Sequence, residues 1–124
     1  MPFERIDVRE RAQREHERYG LFNCPVSYAL EILRRKWAFQ IITHLNLSDK
    51  PIRFNQLERD LEPITQKELT KRLRELEKAR IVERYVYAEV PLRVEYVLAR
   101  GGRDLMPALF ALSDWGKKYG LDEE

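Results

Sequence analysis

The chain has 124 residues, of which 44% are hydrophobic and 35% charged, and its formal charge is +2. That size suits a single domain with a modest core, the apolar content argues against disorder, and no apolar run nears the ~18 residues that span a bilayer, so no membrane partner is expected. Cys24 is the only cysteine, which rules out an intrachain disulfide, and with His16 and His44 it offers no zinc-binding set, so neither metal nor cofactor is expected.

The opening Met1-Pro2-Phe3-Glu4-Arg5 lacks the hydrophobic core of a signal peptide, and a cytoplasmic location is expected. Ten of the fifteen residues 4–18 are charged, with only Phe3, Ile6, Val8, Ala12 and Tyr19 in or beside them to bury. A helix of this kind is marginal alone. Residues 1–22 therefore read as a charged helical arm, either solvated or docked on a partner subunit or on DNA.

Pro25 suits the first position of a helix capped by Cys24, and Val26, Ala29, Leu30 and Leu33 carry its pattern to about Arg35. Trp37, Phe39, Ile41, Ile42 and Leu45 continue as a second helix ending near Ser48, with Trp37 and Phe39 expected in the core. After an extended piece at 51–54, Asn55 and Glu58 have the spacing of a capping box, which opens a short helix around Leu57 and Leu61. Pro63 breaks it. Thr65 and Glu68 form a second capping box ahead of a longer helix that reaches about Lys78 or Arg80. The Val- and Tyr-rich stretch 81–98, broken at Glu89-Val90-Pro91-Leu92, predicts a two-stranded β-hairpin. Gly101-Gly102 separates the hairpin from an amphipathic last helix, whose apolar stripe is Leu105, Leu109, Leu112 and Trp115, widened by Met106 and Phe110.

The helix opened by Thr65 bears most on function. At ~100° per residue Leu69, Leu73 and Leu76 form one narrow stripe, and Lys67, Lys71, Arg74 and Lys78 lie opposite it with Thr70 beside them. From 65 to 80 the basic residues Lys67, Lys71, Arg72, Arg74, Lys78 and Arg80 outnumber Glu68, Glu75 and Glu77, a local charge of +3 that exceeds the +2 of the whole chain. Long cations with Gln66 near the helix start suit a helix laid in a major groove, where Gln and Arg bond base edges and Lys meets phosphate. A lysine-rich face is also an ordinary solvated surface. The order of elements separates the two, because a short capped helix, a tight turn, a basic helix and then a hairpin is the order of a winged helix-turn-helix. Arg53 and Asn55 at the start of the short helix, and Arg84 or Arg93 on the hairpin, would add contacts from the flanks, with Arg93, nearest the tip, the leading wing candidate.

The chain resembles the HxlR-type prokaryotic transcription regulators, relatives of the MarR group, across most of its length. The resemblance rests on Cys24-Pro25-Val26, Lys36-Trp37, Arg53-Phe54-Asn55-Gln56-Leu57, Ile64-Thr65-Gln66-Lys67, Leu69-Thr70, Leu73-Arg74-Glu75-Leu76-Glu77 and Val90-Pro91-Leu92-Arg93-Val94-Glu95-Tyr96, in that order. It implies a dimer held by terminal helices, a recognition helix from Thr65, a wing around Pro91-Leu92-Arg93 and, because some members sense electrophiles or oxidants through a cysteine there, a sensor role for Cys24, against which stands an ordinary packing role for a small buried thiol. Two positions depart from the family pattern: Arg34-Arg35 replaces a glycine pair before Lys36-Trp37, and Ala99 replaces a capping threonine.

The expected protein is thus α+β and mostly α: residues 1–22 an arm, 23–100 a winged helix-turn-helix with a two-stranded hairpin wing, and 101–124 a dimerisation helix. Its expected function is sequence-specific regulation of transcription, as a homodimer on a pseudo-palindromic site in double-stranded DNA with half-sites ~34 Å apart. Arg53, Asn55, Thr65, Gln66, Lys67, Thr70, Lys71, Arg74 and Arg93 are the candidate DNA contacts, and Leu105, Leu109, Leu112 and Trp115 the candidate dimer contacts. The last helix could instead only close the monomer core. The alternative function is an interaction module for an acidic protein surface or structured RNA. No enzyme is expected, since His16 and His44 are isolated, Cys24 has no evident partner and no glycine-rich phosphate loop occurs; no motif names a small-molecule effector.

Overall fold

A computed structural model describes residues 5–120, with side chains from residue 8 on. It divides into two compact units after Lys36. Phe3 of the expected arm, the side chain of Ile6 and the last residues of the expected dimerisation segment lie outside the described residues.

The first unit carries α1 (Arg5–Tyr19) and α2 (Pro25–Leu33). Nothing on α1 forms an apolar stripe, and Val8 is exposed. Pairs one turn apart support it instead: Arg11 to Glu15 at 2.7 Å and Arg14 to Glu10 at 3.9 Å. Gly20, at φ 76°, closes the helix by donating its N–H to the His16 carbonyl at 2.9 Å. Cys24 caps α2 with extended backbone and Pro25 takes the first helical position, as the sequence implies. Leu21, Phe22, Val26, Tyr28 and Leu30 are all exposed.

The second unit begins with α3 (Ala38–Leu47), whose Ala38, Ile41, Ile42 and Leu45 are buried on one stripe. Phe39 stands ~100° off that stripe and is 47% exposed, and Trp37, in the left-handed region at φ 76°, is half-buried, so neither is the core residue expected of it. The extended piece becomes strand β1 (Ile52–Arg53) and leads straight into α4 (Phe54–Asp60). Arg53 is the N-cap of α4, with no side-chain cap. The expected Asn55 capping box does not form, because pairing of β1 starts the helix early enough to leave Asn55 inside its first turn.

Ile64 plugs the following turn, buried. Then α5 (Gln66–Lys78) opens with the reciprocal box the sequence predicts: Thr65 Oγ1 accepts from the Glu68 N–H at 3.1 Å, and Glu68 Oε1 accepts from the Thr65 N–H at 3.0 Å. The helix ends on Arg80, at φ 65°, with Arg80 N–H donating to the Glu77 carbonyl at 3.0 Å and Ile81 N–H to the Leu76 carbonyl at 2.9 Å. This pair of bonds returns the chain to the core.

The hairpin is β2 (Val82–Tyr87) and β3 (Arg93–Leu98), in antiparallel register from Val82 opposite Leu98 to Tyr87 opposite Arg93. This is the two-stranded hairpin the sequence predicts, and a third strand joins it. Ile52 pairs with Tyr96 and Arg53 with Glu95, so β3 lies at the centre of a three-stranded sheet in the order β1-β3-β2. The sheet, α3, α4, α5 and the start of α6 (Arg100–Tyr119) enclose Leu57, Leu69, Leu73, Leu76, Val82, Tyr96, Leu98 and Met106.

Gly101 and Gly102 do not separate hairpin from helix, as expected, but lie in the first turn of α6. A Cβ on Gly101 would come within 2.3 Å of the Arg80 carbonyl oxygen, and one on Gly102 within 2.5 Å of the Ile81 carbonyl oxygen and 2.4 Å of Leu98 Cδ1. The helix start rests directly on the turn that ends α5, and only a missing side chain permits that approach. Gly102→Ala is therefore expected to lower the unfolding free energy by about 1–3 kcal/mol through overpacking, although helix propensity alone would raise it by about 1 kcal/mol. A urea titration in which the variant equals or exceeds the parent would contradict this packing.

Candidate nucleic-acid interface

Burial of Leu69, Leu73 and Leu76 sets the rotation of α5 about its axis. Lys67, Lys71, Arg74 and Lys78 consequently face solvent, and none of them is in an ion pair among the described residues. Arg72 differs: its side chain is 13% exposed and paired with Glu75, so it adds nothing to the outward cationic face. The exposed charge is concentrated on one side of the helix.

That side borders a groove of about 700 Å³ between α5, the start of α4 and the hairpin. Arg53, Asn55, Gln66, Thr70, Arg74 and Arg93, all expected DNA contacts, line it together. The structure thus brings together residues that the chain separates by forty positions, because β1 pairs with β3 and α5 packs under β2. Thr65, Lys67 and Lys71 lie outside the groove on α5 itself, with the Thr65 hydroxyl engaged in its cap.

Tyr96 forms the floor. It is 6% exposed, with its ring tilted against Phe54 at 6.5 Å between centroids. Burial pushes its phenol above the ordinary tyrosine value, with Arg84 acting in the opposite direction through a hydrogen bond and its charge. The floor is therefore a neutral hydroxyl at physiological pH, ringed by Arg74, Arg84 and Glu77. Nearby, Asp60 lies 2.8 Å from His44 Nε2 and accepts from Gln56 at 2.6 Å; these two bonds, His44's first, hold its carboxyl below the usual aspartate range and tie the end of α3 to α4.

The two wing cations differ in their surroundings. Arg93, nearest the tip, is not free: it lies 3.2 Å from Glu89 and 3.5 Å from Glu95, with its guanidinium carbon 3.9 Å from the centre of the Tyr87 ring. Arg84 is exposed, lines the groove and has no ion pair among the described residues. Strand alternation carried the signal, since Arg84 shares the parity of buried Val82 and stands opposite Tyr96.

The last helix divides its apolar residues. Met106 and Leu109 are buried within their own chain and Leu105 is half-buried, which removes Leu109 from the expected dimer contacts. Leu112 and Trp115 are 57% and 63% exposed, and Phe110 and Tyr119 join them, with the Trp115 and Tyr119 rings 5.4 Å apart. Cys24, in the first unit, is partly exposed at the amino end of α2.

A short helix, a turn, a capped helix with a cationic outer face and a small hairpin joined to a third strand define a winged helix-turn-helix regulator. The chain belongs to the HxlR-like helix-turn-helix family, whose model matches residues 32–124. It is a transcriptional regulator of this type, and the family is one of regulators, not enzymes. An uncharacterized HTH-type transcriptional regulator of Methanothermobacter thermautotrophicus is 42% identical over 101 residues, covering 82% of this chain and 76% of the relative. Among solved structures, the reduced form of the transcriptional regulator YodB of B. subtilis superposes with a TM-score of 0.70 at 35% identity, over 78% of this chain and 94% of that one. The redox regulator HypR in its oxidized form gives a TM-score of 0.65 at 39% identity, over 80% and 100%. No helix among the described residues is long and apolar enough to cross a membrane.

Proposed function

We propose that the protein regulates transcription by binding double-stranded DNA as a homodimer, each copy laying α5 in a major groove. The observation that carries this reading is the outward row of Lys67, Lys71, Arg74 and Lys78, unpaired with any carboxylate among the described residues and bordering a groove lined by further cations. Gln66, Thr70 and Arg74 are the base-reading candidates; Arg53, Asn55, Lys67, Lys71 and the amide end of α5 at Thr65 meet phosphate. Arg84, exposed and in no ion pair among the described residues, joins them from the wing, and Arg93 acts from its clamped position. A dimer neutralising about eight phosphates loses affinity with a log-log salt slope near −7. Lys71→Ala with Arg74→Ala is expected to weaken binding to selected duplex DNA by roughly 1–3 kcal/mol for each base-reading side chain removed. An unchanged anisotropy titration would remove α5 from the interface. The interaction-module alternative would show itself by equal competition from structured RNA or from any duplex sequence.

The second copy docks on the exposed end of α6. Leu112, Trp115 and Tyr119, spaced at i, i+3 and i+7, present an apolar face that a lone chain leaves in water, and a two-fold axis along it would bury that face and add a second copy of α5. Sedimentation is expected to give twice the 14.9 kDa chain mass for the parent. Leu112→Ala with Trp115→Ala shifts the population toward single chains; a variant as dimeric as the parent would move the interface elsewhere.

Cys24 is the site of thiol control. It is partly exposed at a helix amino end, and two structural relatives are described by their redox forms. Oxidation is expected to change DNA affinity by about fivefold or more in the parent and not in Cys24→Ser. Equal responses from both proteins would return Cys24 to a packing role.

A further inference from the structure

Glu95 sits at the centre of the sheet face opposite Tyr96, the face that carries Arg53 and Arg93. On β3 it is in register with Arg53 of β1 and with Tyr85 of β2, and it shares its strand parity with Arg93. One of its oxygens, Oε2, lies 3.5 Å from Arg93 Nε and 3.9 Å from Arg53 Nε, so a single carboxylate oxygen stands between two guanidinium groups from different strands. Its side chain is only 16% exposed, and Arg93, at 27%, is further confined by the Tyr87 ring. Glu89 also reaches Arg93, at 3.2 Å, but from the loop and at 49% exposure.

These two carboxylates are not equivalent. A loop glutamate in water is displaced by a stronger anion at little cost, because exposed ion pairs are worth about 0–1 kcal/mol. A strand glutamate that is mostly buried against Arg93, with the more exposed Arg53 at 3.9 Å on its other side, gives up a confined contact when it leaves. We infer that Glu95 is a positioning residue for DNA binding: it holds Arg93 and Arg53 as one cationic edge beside the groove, aimed outward to meet phosphate, while Glu89 gives up its place on Arg93. The inference rests on the DNA-binding reading above.

By charge alone, deleting a negative side chain from a DNA-facing surface tightens binding. Glu95→Gln keeps the shape and removes the charge. The probe is a mixed-sequence duplex of about 30 base pairs at low salt, since phosphate contacts dominate there whatever the operator. Affinity is expected to fall about fivefold in Glu95→Gln and to rise slightly in Glu83→Gln, a control glutamate on the same sheet face that bonds the Tyr85 hydroxyl and no arginine. Arg93→Ala and the double variant Arg93→Ala with Glu95→Gln are expected to bind alike to within the Arg53 contribution, because the carboxylate acts through the arginine. Circular dichroism melting identifies any variant that has lost its fold, and in that event Glu95→Asp, which retains charge and strand geometry, is expected to keep more affinity than Glu95→Gln. Binding by Glu95→Gln as tight as the parent, or fully additive effects in the double variant, would overturn the positioning role and leave DNA binding intact. A parent chain that ignores the duplex at low salt would overturn both.

Discussion

Leu69, Leu73 and Leu76 are at most 1% exposed, and each such side chain contributes roughly 1.5–3 kcal/mol when taken from water. A helix turns as a rigid body, so burying that stripe also decides where every other residue of α5 points. Lys67, Lys71, Arg74 and Lys78 can reach solvent and Arg72 cannot, for the same reason. A modest local surplus of charge thereby becomes a directed one. The capping box at Thr65 fixes the first turn of the helix, and the left-handed Arg80 fixes its last, so the cationic face has a defined length as well as a defined side.

Around that helix the sheet supplies a second constraint. Because β3 is paired on both edges, its residues are committed to one face or the other by alternation, and a shift of one residue would exchange Tyr96 for Glu95 beneath the groove. As it stands, Tyr96 gives the groove a buried neutral floor and Glu95 gathers arginines on the opposite face. Arg84, on the inner parity, bonds the Tyr96 phenol and has no carboxylate partner among the described residues, whereas Arg93, nearest the loop, is held by two.

The last helix has to satisfy two demands along one stripe. Its glycine-bearing start presses against the turn after α5 and sends Met106 and Leu109 into the core; its far end carries Phe110, Leu112, Trp115 and Tyr119 in solvent. Core closure accounts for the first turns, and the later turns leave the apolar side chains in solvent that the proposed association would cover. The pattern was visible in the residues, but the point where it passes from one use to the other was not.

What the sequence determines here is local. Thr65 with Glu68 specifies a helix start, Pro25 after Cys24 another, and the leucine spacing specifies the inward side of α5, because capping and periodicity act over a few neighbouring residues. The Asn55 box and the Gly101-Gly102 boundary misled for the complementary reason: strand pairing at Arg53 and a close approach to Arg80 and Ile81 outweighed the local preference. Which wing arginine is engaged, which leucine of α6 is covered, and that Arg53, Gln66 and Arg93 share one groove depend on contacts between distant segments. Those contacts exist only once the chain has closed on itself, and no period within a single helix or strand encodes them.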